Sequence, residues 1–283
     1  MANYVRTIPL GKARVSVINV GDLILSLSEE MNVPESEWRP RYTAIFERPS
    51  PFPSQCIHIA LPGASVLVDA GDYALSAPPG SPYLPPNYRP PPDLMAQLLE
   101  IGVRPEDITH LVITHAHFDH YNGVTTEHDG RYVPCFPNAR CFLGKADWEH
   151  SETQEALQDP NSLENRTLGA LHREGLLELV EGDRDLVAGV SIIASPGESP
   201  GHQIVRVHSR GQTLYCLGDL YHHIIEVEQP TWMVTWANPD AILASRHALV
   251  KAALEENAFL VAAHIPSVGQ LEGTPSGARW VAV

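Results

Sequence analysis

The apolar run Leu111-Val112-Ile113-Thr114 passes directly into His115-Ala116-His117-Phe118-Asp119-His120, and few folds can hold both halves of that junction. A short, continuously apolar run reads as a buried strand. Residues two apart on extended backbone point the same way, so His115 and His117 can grip one ion. Asp119 and His120 lie past the strand end and can turn toward a second. At this composition such a pattern arises by chance on the order of once in 600 chains, which sets it apart from an ordinary polar loop.

Around the junction, strand and helix signals follow one another. Residues 14–19 and 23–28 flank Val20-Gly21-Asp22 and predict a β-hairpin. Residues 56–61 and 65–69 predict a second hairpin around Pro62-Gly63, ending in Asp69-Ala70-Gly71. Further strands are expected at 108–114, 139–143, 189–194, 204–208, 213–217 and 259–263. Helices are expected at 93–101, at 147–157 and, with strong amphipathicity, at 239–257. Two segments break the pattern. Residues 31–53 mix aromatics with prolines and read as irregular. Residues 76–92 hold eight prolines, a density that neither a helix nor a central strand tolerates. Such a loop can be a lid or pocket wall as readily as a spacer. The strands fall in two runs, so two sheets packed together and covered by helices is the simplest architecture. Residues 1–283 are expected to form a single domain carrying these two insertions.

Charge and cysteine usage bound the partners. With 34 acidic against 19 basic residues the net charge is −15. That argues against nucleic acid or an anionic membrane as partner, because phosphates need Lys/Arg surfaces. The 14 histidines beside many carboxylates suit bound cations instead. No run approaches ~18 apolar residues, and residues 1–10 lack a basic stretch leading into an apolar one. Cys56, Cys135, Cys141 and Cys216 are spread without a CxxC pair and are expected to be reduced thiols of a cytoplasmic protein. The expected partner is a small-molecule substrate, with oligomerisation left open.

The HxHxDH hexad resembles the signature of the metallo-β-lactamase superfamily of dinuclear metallohydrolases, and the resemblance runs along most of the chain. Asp69-Ala70-Gly71 resembles the family's Asp-x-Gly at an early strand end. Ser195-Pro196-Gly197-Glu198-Ser199-Pro200-Gly201-His202 resembles its Thr-Pro-Gly-His-x-Pro-Gly-His loop. Gly218-Asp219 closes a strand where the family places its bridging aspartate, and His264 stands where it places its last histidine. The resemblance implies an α/β fold, an αββα sandwich of two mixed β-sheets flanked by helices, with two divalent metal ions at one edge. It implies one ion on His115, His117 and a ligand from the loop, the other on Asp119, His120 and His264, and Asp219 shared between them. An ionised water between the ions is the implied nucleophile. Asp69 is expected either to orient a ligand histidine or to cap its turn.

One position departs from the family pattern. Where the loop's first histidine is expected, this chain has Glu198. Either Glu198 binds in the histidine's place, or the loop shifts and His202 binds; Glu198 is preferred because it keeps the register. With Asp119, Glu198 and Asp219 as ligands, two divalent ions and a hydroxide sum to neutral, where a histidine would leave one positive charge. Such a donor set leans toward Mn2+ or Fe2+, while the family implies Zn2+.

Acyl-homoserine lactonases of this superfamily often carry a tyrosine three residues after the bridging aspartate. Here His222 holds that position with Tyr221 beside it, and either is a candidate to hydrogen-bond a substrate oxygen. Trp232, Met233 and Trp236 are candidate walls of an apolar pocket. His58, His128, His150, His172, His208 and His247 fall outside any ligand pattern. The expected activity is hydrolysis of a small ester-like substrate, a lactone first. A phosphotriesterase-like enzyme is the alternative within the superfamily, and a ligand-binding member without turnover is the alternative outside enzymes.

Overall fold

The computed structural model describes residues 4–71, 80–84, 86–275 and 277–283. Strands β1 (Val5–Leu10), β2 (Ala13–Leu25), β3 (Ser50–Leu61), β4 (Ala64–Val68) and β5 (His110–Val112) come first, followed by a separate hairpin, β6 (Thr125–His128) and β7 (Arg131–Pro134). Strands β8 (Arg140–Gly144) and β9 (Leu177–Val180) complete the first sheet, ordered β1-β2-β3-β4-β5-β8-β9. The second sheet runs in chain order through β10 (Arg184–Val187), β11 (Val190–Ala194), β12 (Gln203–Ser209), β13 (Gln212–Cys216), β14 (Phe259–Val261), β15 (Gly269–Thr274) and β16 (Gly277–Ala282). Both sheets are mixed: β4, β5, β8 and β9 pair in parallel, as do β13 and β14, and the remaining pairs are antiparallel.

The two-residue period of each strand explains the layers. Val66 and Val68 face the second sheet while Leu67 faces outward, and Ile57 and Ile59 alternate with Cys56 in the same way. The inward set meets Ile192, Val205, Val207, Leu214 and Val261 of the opposite sheet. The outward set of the first sheet packs on Leu94 and Leu98 of the helix Leu94–Glu100 and on Leu168 and Leu171 of the helix Leu168–Arg173. On the far side, Ile204, Tyr215 and Leu260 pack on Ile242, Leu249 and Ala253 of the helix Pro239–Glu256. The layers are therefore helix, sheet, sheet, helix. Local signals start both long-range helices: Asp93 Oδ1 accepts from the Ala96 N–H at 2.8 Å, and Asn238 Oδ1 from that of Ala241 at 3.1 Å.

Two expectations are corrected. Residues 14–28 do not form a hairpin; β2 continues through Val20-Gly21-Asp22 and pairs with β3 along its length. Gly21 lies in a bulge, marked by the register shift between Asn19 and Gly21, and its N–H donates to Asn19 Oδ1 at 2.9 Å. The turn-like triplet is thus a kink in a long strand. Residues 31–53 are not irregular either: they contain the helix Glu35–Phe46 and the start of β3. Pro40 and the non-helical Tyr42 kink that helix. Aromatic packing holds it: Trp38 stacks on Phe46 at 5.2 Å, and Trp232 meets Phe46 and Tyr42 edge-on at 5.6 and 5.3 Å.

Of the proline-rich segment, residues 76–79 and 85 lie outside the described residues. Elsewhere in it, Tyr88 Oη donates to Asp22 Oδ2 at 2.8 Å and Tyr4 Oη to the Arg89 carbonyl at 2.7 Å. Among the described residues no helix is long and apolar enough to cross a membrane.

Candidate metal centre

The donor residues sit at one edge, just past the C-terminal ends of neighbouring parallel strands. Asp69 follows β4, the hexad follows β5, Asp219 follows β13 and His264 follows β14. The loop 195–202 joins β11 to β12 beside them. Asp219 Oδ2 is the hub: His264 Nε2 lies 3.2 Å away, His120 and His222 Nε2 each 3.3 Å, and His115 Nε2 3.8 Å. Asp119 Oδ2 lies 3.4 Å from His264 Nε2 and 3.5 Å from His120 Nε2. On the other side, Glu198 Oε1 lies 3.2 Å from His117 Nδ1 and 3.9 Å from His115 Nε2. Apart from the half-buried His117, these side chains are buried.

These separations fit shared cations better than hydrogen bonds. Donors bound tetrahedrally at ~2.0–2.1 Å from one ion stand roughly 3.4 Å apart. His120 Nε2, Glu198 Oε2 and Asp219 Oδ1 are buried with no hydrogen-bond partner among the described residues, which is unusual for polar atoms unless something else satisfies them. Groups able to hold an ion are His115, His117 and Glu198 on one side and Asp119, His120 and His264 on the other, with Asp219 reaching both. The acceptors behind the ring nitrogens also fit. His120 Nδ1 faces Asp69 Oδ2 at 2.9 Å and His264 Nδ1 faces the Pro53 carbonyl at 2.8 Å, so both rings can carry hydrogen on Nδ1 and offer Nε2. Asp69 also accepts from the Thr114 N–H at 2.7 Å and its hydroxyl at 2.9 Å, which ties the end of β4 to the start of the hexad.

Both alternatives for the loop ligand can be placed. Glu198 stands among the donors. His202 has both ring nitrogens engaged by backbone: Nδ1 lies 2.9 Å from the Ser195 carbonyl, and Nε2 accepts from the Asp219 N–H at 3.2 Å. Gly197 holds Glu198 in this register. Its φ is +138°, and an added Cβ would stand 2.3 Å from Cα of Ile242. Gly197→Ala is expected to lower stability by about 1–3 kcal/mol and to lower metal content, checked by urea unfolding and metal analysis.

Burial and mutual charge set the protonation of the metal-free cluster. Burial opposes charge on His120 and His264, yet the surrounding carboxylates, Asp219 foremost, hold both well above the usual histidine value. His222, buried beside Glu198 and Asp219, is raised to about 9. His115, buried among other imidazoles, is driven well down. Burial disfavours the charged carboxylates too, but His264, His120 and His222 hold Asp219 well below its usual range, and His120 and His264 bring Asp119 to about 2. His222 contributes stability that is full below its unfolded value of 6.5 and is lost as pH rises through about 9, and the raised His120 and His264 act in the same direction. Asp119 contributes above 3.8 and loses that as pH falls toward about 2. The depressed His115 works the other way and costs stability as pH falls below 6.5. Metal-free protein should therefore weaken in urea as pH rises above neutrality. Added divalent ion should raise the urea midpoint more as pH rises, because ligation needs neutral imidazoles.

An apolar cavity of about 340 Å3 opens onto the donors. Leu23, Leu25, Met31, Phe52, Phe118 and Val234 form its walls, and Asp119, Asp219, His222 and His264 lie at its floor. A second cavity, about 480 Å3 and more polar, lies against Glu198, Ser199, His150 and Glu164. Trp236 and His117 line both cavities, and Trp236 Nε1 donates to Glu198 Oε1 at 2.6 Å. Trp236 thus lies beside the donor cluster. Tyr221, Trp232 and Met233 do not: all are buried and line neither cavity. Tyr221 lies under the Arg246 guanidinium, 4.8 Å from its ring centroid, and Met233 packs in the same core. Trp232 belongs to the aromatic cluster around Phe46.

The sequence reading missed Asp147. Its buried carboxylate accepts from the Ala116 N–H at 2.9 Å, the Ser199 hydroxyl at 2.8 Å and the Gly201 N–H at 2.5 Å, stitching the hexad to the Glu198 loop. An aspartate inside a helix signal gives no local hint of this.

The metallo-β-lactamase superfamily model matches residues 49–264, and the chain belongs to that superfamily. It is 28% identical over 120 residues to an N-acyl homoserine lactonase of Bacillus cereus, a stretch covering 42% of this chain and 41% of that protein. The match thus spans less than half of that relative. Among solved structures, hydrolase AbOPH of the beta lactamase superfamily superposes with a TM-score of 0.78 at 15% identity, covering 100% of this chain and 98% of the other. The dizinc quorum-quenching lactonase AidC superposes with a TM-score of 0.76 at 20% identity, covering 99% and 97%. These likenesses bear out the expected fold, and membership of the superfamily together with the donor clusters supports divalent metal ions here.

Proposed function

We propose that the chain is a metal-dependent hydrolase of small, neutral, ester-like substrates, with lactones as the leading class. The observation that carries this reading is the apolar cavity whose floor is the Asp119–Asp219–His264 donor cluster. A neutral substrate with an apolar arm fits such walls, and its reacting carbonyl would then lie over the cluster. The lactonase names of the relatives support the same class.

His115, His117 and Glu198 are assigned to one ion, Asp119, His120 and His264 to the other, and Asp219 to both. Two divalent cations bound there supply Lewis acidity toward a scissile carbonyl and a nucleophile at neutral pH. Asp69 fixes the tautomer of His120, and the Pro53 carbonyl fixes that of His264. Trp236 holds the Glu198 carboxylate, and the apolar walls bind the arm and exclude water. Glu198→Ala is expected to lose one ion per chain, whereas His202→Ala keeps both; the reverse result would assign the loop ligand to His202.

A panel of lactones, phosphotriesters, thioesters and β-lactams, assayed on metal-loaded protein, tests the class. Lactone opening is expected to dominate. Preference for phosphotriesters would move the protein to that branch, and turnover of none with ions bound would favour a binding role.

A further inference from the structure

The geometry points to His222 as a metal ligand through Nε2, supplying the nitrogen donor that Glu198 removes from the loop. This rests on the metal-dependent reading above and deepens it. His222 Nε2 lies 3.3 Å from Asp219 Oδ2 and 3.9 Å from Glu198 Oε1, and the ligand atoms of these three residues lie within 4.8 Å of one another. His222 is 6% exposed, and its ring lies parallel to that of His264, 5.7 Å away at 10°. Its two nitrogens have different surroundings. Nε2 faces the hub carboxylate, while Nδ1 is buried without a hydrogen-bond partner among the described residues, its nearest carboxylate being Glu226 at 4.0 Å.

Ligation accounts for the Nε2 end. An imidazole bound through Nε2 is neutral and carries its hydrogen on Nδ1, on the side where Glu226 Oε2 lies 4.0 Å away, farther than the 2.9 Å at which Asp69 stands behind His120. Glu226 is itself fixed: Oε2 accepts the His222 N–H at 2.6 Å and the His223 N–H at 2.9 Å, while Oε1 accepts from buried Arg246 at 2.5 Å. The backbone that carries the ring is therefore anchored by a buried ion pair. With it, the ion on the Glu198 side can draw on His115, His117, His222, Glu198 and Asp219. That set is larger and richer in oxygen than the four-donor sets typical of structural zinc, and suits Mn2+ or Fe2+ as well as five-coordinate Zn2+.

Metal-stripped protein titrated with Zn2+ and with Mn2+ against a chromophoric chelator reads this directly. Wild type should take up two ions. His222→Phe, which keeps a ring against His264, should keep one at wild-type affinity and bind the other at least ~100-fold more weakly. A second measurement needs no variant: in the Zn2+ form labelled with nitrogen-15 histidine, the Nε2 of His222 should show the metal-ligated shift alongside those of His120 and His264. Two ions at wild-type affinity in His222→Phe, or an unligated His222 in the labelled wild type, would overturn the assignment while leaving the hydrolase reading intact. Wild type that binds no divalent ion would overturn both.

Discussion

Asp219→Ala should leave a folded protein that has lost most of its divalent metal and hydrolyses lactones with kcat/KM lower by ~10³-fold or more, about 4 kcal/mol of transition-state stabilisation. Among the described residues no other carboxylate reaches both halves of the cluster: Oδ2 of Asp219 stands within 3.8 Å of four histidine nitrogens. Without it, His120 and His264 lose the largest of the charges that hold their protonated forms, and His222 loses one of them while keeping Glu198. The metal-free variant should then show a weaker pH dependence of urea stability than the wild type. Asp219→Asn, which keeps the volume and removes the charge, should behave similarly. Retention of two ions by both variants would show that the bridge has been misplaced.

Arg246→Met is expected to cost about 3–5 kcal/mol of folding stability, the largest loss anticipated for a residue that lines neither cavity. Arg246 is fully buried. Nε donates to the Leu220 carbonyl at 3.0 Å, Nη1 to those of Pro230 at 3.0 Å and Trp232 at 2.6 Å, and Nη2 to Glu226 at 2.5 Å. Methionine strands the Glu226 charge and three carbonyls in the interior. Removing that charge as well, in Arg246→Met/Glu226→Gln, should recover part of the loss. Arg246→Lys should not, because one ammonium cannot span the four acceptors. A loss below ~1 kcal/mol by urea unfolding would mean that the segment following Asp219 does not depend on this pair.

The parts legible in the sequence were those encoded locally. The hexad after an apolar strand, the Asp69 turn and the aspartate and histidine closing later strands are each defined within a few residues of a strand end, where backbone direction fixes side-chain direction. The helices begun by Asp93 and Asn238 were legible for the same reason. What escaped depends on partners far along the chain. Gly21 reads as a turn until β3 pairs across it and makes it a bulge. The helix Glu35–Phe46 contains a proline and becomes stable through Trp232, almost two hundred residues away. Tyr221, Trp232 and Met233 have pocket-like chemistry, but only packing decides that Arg246 and the Phe46 cluster claim them. Asp147 and the Glu226–Arg246 pair carry no local signal because they act by joining loops.

Acid release on lactone ring opening can be followed by pH-stat with the protein as purified, after chelation, and after two equivalents of divalent ion are returned. Ring opening should be lost with the metal and restored by two ions per chain. Ring opening that survives complete metal removal, or none of any lactone with both ions bound, would contradict metal-dependent lactone hydrolysis.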